Sequence, residues 1–519
     1  MDFFKYWKKD IPASIVVFFV ALPLCLGVAL ASGAPVFSGI IAGIVGGVVI
    51  GFISKSPIGV SGPAAGLVVI VLNAITDLGA YELFLVAVVI SGLIQILLGI
   101  LKAGVIGYYF PSSVIKGMLC AIGISIFLKQ IPLALGYTDK LDILSADIFS
   151  FSLSKVTIGA IVISIISLFI LIVWDNILGK KSTFFKLLPG SLVAVIIGII
   201  YQVTIGDSNH EVFAIDKDLL VKVPVPESVT DFIGQFTTPD FAAGLTNPLV
   251  WQVAFTIAIV GSLETLLSVE ATDKIDPLKR QTPTNRELVA QGIGNSLSGL
   301  IGGLPVTQVI VRSSANAMSG GTSKLSTILH GSLLLLSVVS IPVFLNLIPN
   351  AVLASILLVI GYKLGNPKQF LNMKKLGKDQ LIPFAVTVIA ILATDLLKGI
   401  IIGLVVGVVV SLIKSYNNSH VMLVKEGNVY HMNFAEEVTF VNRGAIVKEL
   451  DGLKPGSFLE LDVRKTRILD YDIIEYLDEF KVKAKNNNIN IRLISERGTV
   501  DNPQSFREFF GYAIVAGAH

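Results

Sequence analysis

Apolar residues in this chain fall in long blocks. Seven lie near residues 12–31, 36–53, 62–75, 82–101, 113–134, 156–174 and 187–204. After a polar stretch, seven more lie near 249–268, 287–301, 306–318, 325–348, 351–362, 381–394 and 399–414. Crossing hydrocarbon takes roughly 20 apolar residues in a helix, so the pattern predicts an α-helical polytopic membrane protein of about fourteen segments, several of them short. The weak alternation of a membrane β-barrel is absent. Beyond Lys414 apolar residues gather into short groups between charged ones. Asn428–Asn433, Ser457–Val463 and Ile489–Ile494 read as strands, and Asp472–Lys485 and Ser505–Tyr512 as helices. Residues 497–504 read as a loop. The expected organisation is a transport domain over 1–414 and a small α/β domain over 415–519.

Two interruptions organise the membrane part. Ser56-Pro57-Ile58-Gly59-Val60-Ser61-Gly62-Pro63 precedes one short apolar run, and Gly302-Gly303-Leu304-Pro305 precedes another. Each follows two long runs, which is the sequence signature of an inverted repeat. The copies span about 10–204 and about 249–414, seven segments each, antiparallel because seven is odd. Two half-helices would then meet tip to tip near the midplane. Each tip carries unpaired N–H groups and roughly half a positive charge. The donors to a small anion would be Ala64, Ala65, Gly66 and Leu67 on one side and Thr307, Gln308, Val309 and Ile310 on the other. The bland alternative, breaks that only kink helices for packing, is disfavoured because the two breaks correspond.

Charge sharpens this picture. Of 519 residues 53% are hydrophobic and only 15% charged, against roughly 25% charged in soluble domains. Basic connections recur along the chain: Lys5, Lys8 and Lys9; Lys55; Lys180, Lys181 and Lys186; Lys274, Lys279, Arg280 and Arg286; Lys324; Lys363, Lys368, Lys374, Lys375 and Lys378; Lys414; most of those between are short, apolar or acidic. By the positive-inside rule both termini face the cytoplasm of a multi-pass protein in the cytoplasmic (inner) membrane. The long connection between the halves carries Asp207, Glu211, Asp216, Asp218, Glu227, Asp231 and Asp240. The first apolar run is too long for a cleavable signal.

Ionisable groups at membrane depth mark pathways. Arg312, read about two turns into the second half-helix, can offset a bound anion; the alternative is snorkelling toward the cytoplasmic end. Glu264 sits with Ser262, Thr265 and Ser268 in an apolar helix. Glu264 and Ser268 share a face, where a carboxylate and hydroxyls suit Na⁺ and a buried Glu suits a proton. The alternative is an ion pair with Arg312 that only locks the helices. The glycines Gly39, Gly43, Gly46, Gly47 and Gly51, and Gly292, Gly294, Gly299, Gly302 and Gly303, read as packing surfaces. Cys25 and Cys120 read as buried packing residues. Asp395, beside Lys398, reads as structural at the outer interface.

The run Asp10-Ile11-Pro12-Ala13-Ser14, then Ala21-Leu22-Pro23, Ala31-Ser32-Gly33-Ala34-Pro35 and Ser61-Gly62-Pro63-Ala64-Ala65, resembles the opening of the SulP inorganic anion transporters. So does the second half, with Glu264, Asn285-Arg286-Glu287-Leu288, Gln291-Gly292-Ile293-Gly294-Asn295, Gly302-Gly303-Leu304-Pro305 and Arg312. The tail resembles the STAS domain of that family. The resemblance implies a seven-plus-seven fold with a mobile core sliding as an elevator against a gate, and a homodimer. It puts the substrate between the third and tenth helices, at Gly62–Val68 and Gln308–Arg312, so that Val68 joins the anion-binding set, with Glu264 nearby. Sodium-coupled bicarbonate transporters of the family carry Asp where this chain has Glu264, a hydroxyl at the position of Ser268, and ion ligands near Gln308–Ile310. Val68, Gln308, Val309 and Ile310 depart from the small or hydroxyl residues found there, which keeps both Na⁺ and H⁺ open. Asp462-Val463-Arg464 replaces the phosphorylatable Asp-x-Ser of soluble antagonists.

The leading reading is a secondary active transporter of bicarbonate or sulfate, with no cofactor beyond a coupling Na⁺ or H⁺. Its expected partners are a small inorganic anion, membrane lipid and a second copy, with no nucleic acid. An organic-anion or nucleobase carrier on the same architecture would place a carboxylate where Arg312 stands. A passive channel would not need Glu264. A receptor acting through the tail predicts no uptake. An enzyme is disfavoured, because no nucleophile–base or metal constellation is visible.

Overall fold

The computed structural model describes residues 6–105, 111–137, 155–178, 188–206, 213–225, 232, 234–394, 396–424 and 428–511. Lys5, Lys180, Lys181, Lys186, Asp207, Glu211, Glu227, Asp231, Asp395 and the end of the expected helix Ser505–Tyr512 lie outside the described residues. The chain forms two compact units, Met1–Met373 with Phe384–Ile402, and Lys374–Pro383 with Gly403–His519.

The first unit is helical. In order come α1 (Trp7–Ala31), α2 (Val36–Ile44, continued by a π turn and Ile50–Ile53), β1 (Ser61–Pro63), a 3₁₀ turn (Ala65–Leu67) and α3 (Val68–Leu78). Then follow α4 (Tyr81–Ile100), α5 (Ser112–Ala134), α6 (Ile158–Val173) and α7 (Gly190–Tyr201). The second half runs α8 (Pro248–Ile275), α9 (Thr284–Leu300), β2 (Val306–Gln308), α10 (Ile310–Met318), α11 (Lys324–Ser340) and α12 (Asn350–Leu364). It closes with α13 (Lys368–Leu376), α14 (Lys378–Ala393) and α15 (Leu396–Asn417), each divided between the two units. Among the described residues six helices are long and apolar enough to cross a membrane, and others, such as Ile158–Val173 and Lys324–Ser340, are shorter.

Local chemistry sets the ends. Pro248 opens α8, where its missing N–H costs nothing, and the Asn247 side chain accepts the Leu249 N–H at 3.0 Å. At the start of α11 the wholly buried Asp10 accepts N–H groups from Thr322 (2.7 Å) and Ser323 (3.1 Å). A carboxylate there satisfies orphan donors and favours the helix dipole. Glycines permit close helix approach: a methyl at Gly292 would lie 2.6 Å from the Gly92 carbonyl oxygen on α4. Both cysteines are free and buried. The amphipathic α13 was not legible, because its apolar positions are too few to form a block.

The second unit carries a five-stranded sheet in the order β3-β4-β6-β8-β9: His420–Val424, Val429–Phe434, Phe458–Asp462, Asn490–Ser495 and Gly498–Asp501. Its central strands are parallel and its edges antiparallel. A two-stranded pair, β5 (Glu437–Val438) and β7 (Ile468–Leu469), stands beside it. Helices α16 (Arg443–Asp451), α17 (Tyr471–Asn486) and α18 (Phe506–Phe510) complete it. Ile473, Ile474, Leu477 and Phe480 of α17 pack with Leu459, Leu461 and Leu493. One expectation is corrected: residues 497–504, read as a loop, contain the edge strand β9. Edge strands such as β3 and β9 and short surface helices such as α16 bury too little to leave a strong period.

Asp462 ends β6, and Arg464 turns back onto it, with Nη2 at 2.6 Å from Oδ2 and the backbone N–H at 3.0 Å from Oδ1. The Arg464 hydrogen bonds hold this carboxyl below the usual carboxylate range. Its stabilisation is therefore present above the unfolded-state pKa and lost as pH falls through the lower folded value. Asp462→Asn is expected to destabilise the C-terminal unit at neutral pH, with the gap to wild type closing below about pH 4. Thermal unfolding of the full chain, followed by a fluorophore in that unit, measures it.

Candidate site at the crossing of two broken helices

The two interruptions meet. β1 pairs with β2 antiparallel, with Ser61 opposite Gln308, Gly62 opposite Thr307 and Pro63 opposite Val306. Because the strands run antiparallel, the two helices leave from opposite ends of this short pair, the first beyond the Pro63–Val306 rung and the second beyond the Ser61–Gln308 rung. Most of the crossing is buried; the partly exposed positions around it are Ala65, Val69, Glu264, Val309 and the more open Ile310. Val68 is buried at the start of α3. Leu67 N–H closes the 3₁₀ turn on the Ala64 carbonyl at 3.2 Å.

Glu264 reaches the first tip. Its carboxylate accepts the Gly66 N–H, and a methyl at Gly66 would lie 2.6 and 2.7 Å from its two oxygens. A side chain at position 66 would push this carboxylate off the amide. One carboxylate oxygen is buried without a protein partner among the described residues. Two neighbouring hydroxyls are engaged elsewhere: Thr265 Oγ1 accepts the Gln308 N–H at 3.4 Å, and Ser262 Oγ accepts from Gln95 Nε2 at 3.3 Å.

The second tip differs from the sequence expectation in two ways. Residues 306–308 are extended, so the helix starts at Ile310 and Arg312 lies in its first turn, not two turns in. The amides of Gln308 and Val309 are already used, by Thr265 and by the Val60 carbonyl at 3.0 Å. The first intrahelical bond is Ser313 N–H to the Val309 carbonyl, 3.2 Å. The N–H groups of Ile310, Val311 and Arg312 precede it and form the open set. The Gln308 side chain is held inward, donating to Thr272 Oγ1 at 3.2 Å.

Arg312 is 1% exposed. Its guanidinium lies behind the crossing, against the Gly62 backbone, the Cys25 thiol and His330. Both terminal nitrogens donate to no protein acceptor among the described residues, and no ion pair joins Arg312 to Glu264. The locking ion pair is thus not formed. A charge buried in low dielectric acts over several ångströms.

Beside α3 and α8 a cavity of about 380 Å³ is lined by Val69, Asn73, Ser125, Lys129, Gln252 and Thr256, among others. Val69 is one residue past the start of α3, and Thr256 lies two turns from Glu264. Sequence reasoning gave no place at the crossing to the buried polar residues around it: Gln95, the motif residues Glu287, Gln291 and Asn295, and Lys324, which it read as part of a basic connection. Their signal was present, as polar residues in apolar runs.

Broken helices paired at a buried crossing, with an acid at one tip and a cation behind it, within a bundle of apolar helices, define a multi-pass membrane transporter. The sulfate permease family profile matches residues 7–390, and the chain belongs to that family. Similar relatives include YvdB of Bacillus subtilis, provisionally named a sulfate transporter, 29% identical over 76% of this chain and 71% of its own length. The bicarbonate transporter BicA of Picosynechococcus is 25% identical over 69% of this chain and 62% of its own. The mouse chloride anion exchanger is 26% identical over 56% of this chain and 37% of its own. Among solved structures, the transmembrane domain of a cyanobacterial BicA superposes with a TM-score of 0.62 at 22% identity, covering 78% of this chain and 98% of that one. SLC26A9 superposes with a TM-score of 0.77 at 14% identity, covering 95% and 85%.

Proposed function

We propose that the chain is a secondary active transporter of a small inorganic oxyanion, bicarbonate or sulfate, across the cytoplasmic membrane, coupled to Na⁺ or H⁺. The observation that carries this reading is the Glu264 carboxylate on the Gly66 amide. An ionised Glu264 occupies the positive end of the first half-helix and repels an incoming anion. A proton on Glu264, or a Na⁺ shared with the Ser268 region, cancels that charge and releases the tip to the substrate. Cation and anion then bind together and move together, which is symport. The anion sits between Ala64–Val68 and Val309–Arg312, with Arg312 raising the potential from behind.

The same reading takes the fourteen segments as a seven-plus-seven inverted repeat, with an elevator motion of core against gate. It takes the C-terminal unit as a cytoplasmic STAS domain, both termini as cytoplasmic and the working form as a homodimer. The family membership, and relatives named for sulfate, bicarbonate and chloride, support the anion class. The test is uptake of labelled bicarbonate, sulfate and fumarate into proteoliposomes of the full chain under imposed Na⁺ or pH gradients. Uphill uptake of one inorganic oxyanion under one gradient is expected. Fumarate preference, or no accumulation under either gradient, refutes the reading.

A further inference from the structure

The pairing of β1 with β2 has little to hold its register. Each strand has three residues, the two come from distant parts of the chain, and no hairpin turn joins them. Short two-stranded pairs are marginal by themselves, and a one-residue slip moves everything by about 3.3 Å.

α9 supplies what the strands lack. Glu287, Gln291 and Asn295, spaced four apart, lie on one face and are at most 1% exposed. Asn295 meets Val306 as a strand neighbour would: its Oδ1 accepts the Val306 N–H at 2.5 Å and its Nδ2 donates to the Val306 carbonyl at 3.0 Å. The same Nδ2 donates to Gln95 Oε1 at 2.7 Å, and Gln95 reaches Ser262 on the helix that carries Glu264. One turn earlier Gln291 Nε2 donates to Ser61 Oγ at 2.7 Å and to Glu287 Oε1 at 2.8 Å. Glu287 Oε2 accepts from Ser54 Oγ at 2.5 Å, fixing the Gln291 end.

The spacings agree. Four residues of α-helix rise about 6 Å, and two residues of strand rise about 6.6 Å. Gln291 stands at the Ser61–Gln308 rung and Asn295 at the Pro63–Val306 rung, two rungs on. We infer that α9 is the template that sets the register of the crossing, and so the gap between the helix tips, with Gln291 and Asn295 as its positioning residues and Glu287 holding Gln291 in place. Neither side chain touches the anion. The inference rests on reading the tips as the anion site.

Two measurements on the full chain separate the outcomes. The first needs no transport. In a Cys25→Ser, Cys120→Ser background, Pro63→Cys with Val306→Cys is expected to form a disulfide on mild oxidation, and adding Asn295→Ala to cut the yield several-fold. The second is initial-rate uptake of bicarbonate and sulfate. Asn295→Ala and Gln291→Met are each expected to raise KM roughly tenfold or more and to change the ratio of the two anions, while maximal rate per folded protein falls less. Ser61→Ala, a mild change, is expected to mimic Gln291→Met, and the double variant to cost no more than either single one. An unchanged disulfide yield together with equal loss of maximal rate for both anions would overturn the template. A reduced yield with unaltered KM and anion ratio would keep the template and remove the tips as the anion site.

Discussion

Replacing Arg312 with methionine is expected to abolish high-affinity anion uptake while leaving the fold intact or more stable. The guanidinium is buried against Gly62, two residues before Ala64 and four before Gly66 in the 3₁₀ turn. At roughly 8 Å and an effective dielectric of about 20, one charge contributes about 2 kcal/mol to an anion at the tips, or roughly 30-fold in affinity. A structural arginine behaves oppositely. Removing one partner of a buried pair strands the other and destabilises strongly, but Arg312 has no carboxylate to strand among the described residues. Methionine fills a similar volume without charge, so the melting temperature is expected to hold or rise as activity falls. The KM for uptake and the thermal melt of the same preparation check both halves. Intact anion affinity would remove Arg312 from the site.

Glu264→Gln is expected to uncouple transport. The amide oxygen of glutamine can still accept the Gly66 N–H, so the tip geometry is preserved and only the titratable charge is lost. Uphill accumulation under a Na⁺ or pH gradient should disappear, while equilibrium exchange of labelled anion across the same liposomes continues. Anion affinity in exchange should rise or hold, because a competing negative charge has gone from the tip. Glu264→Asp is expected to be worse for binding than Gln, since the shorter side chain withdraws from Gly66. Accumulation that survives Glu264→Gln would assign coupling to another group, and loss of exchange as well would make Glu264 part of the scaffold.

The chain announced its helices and its two breaks, because long apolar blocks and Gly/Pro interruptions leave a signal in any single sequence. It also announced Glu264 and Arg312 as charged groups at membrane depth. What it withheld was direction. Periodicity places Arg312 on a face, but only the extension of residues 306–308 moves it into the first turn and turns its head toward Cys25 and His330. Three-residue strands carry no readable period, so the pairing of Ser61–Pro63 with Val306–Gln308 was invisible. Glu287, Gln291 and Asn295 were visible as a polar line at helical spacing, yet their partners lie on β1, β2, α4 and the Ser54 loop, and such partners emerge only in three dimensions.

The distance along the chain between those two strands has a consequence for biosynthesis. Ser61–Pro63 leaves the ribosome long before Val306–Gln308, roughly 12–50 s earlier at about 5–20 residues per second. Throughout that interval the first tip must wait in the bilayer with its backbone groups unmatched, or be shielded by water or a chaperone. The nascent first half is thus a vulnerable insertion intermediate, and lesions in the distant β2 segment would surface as degradation of a half that had already been made.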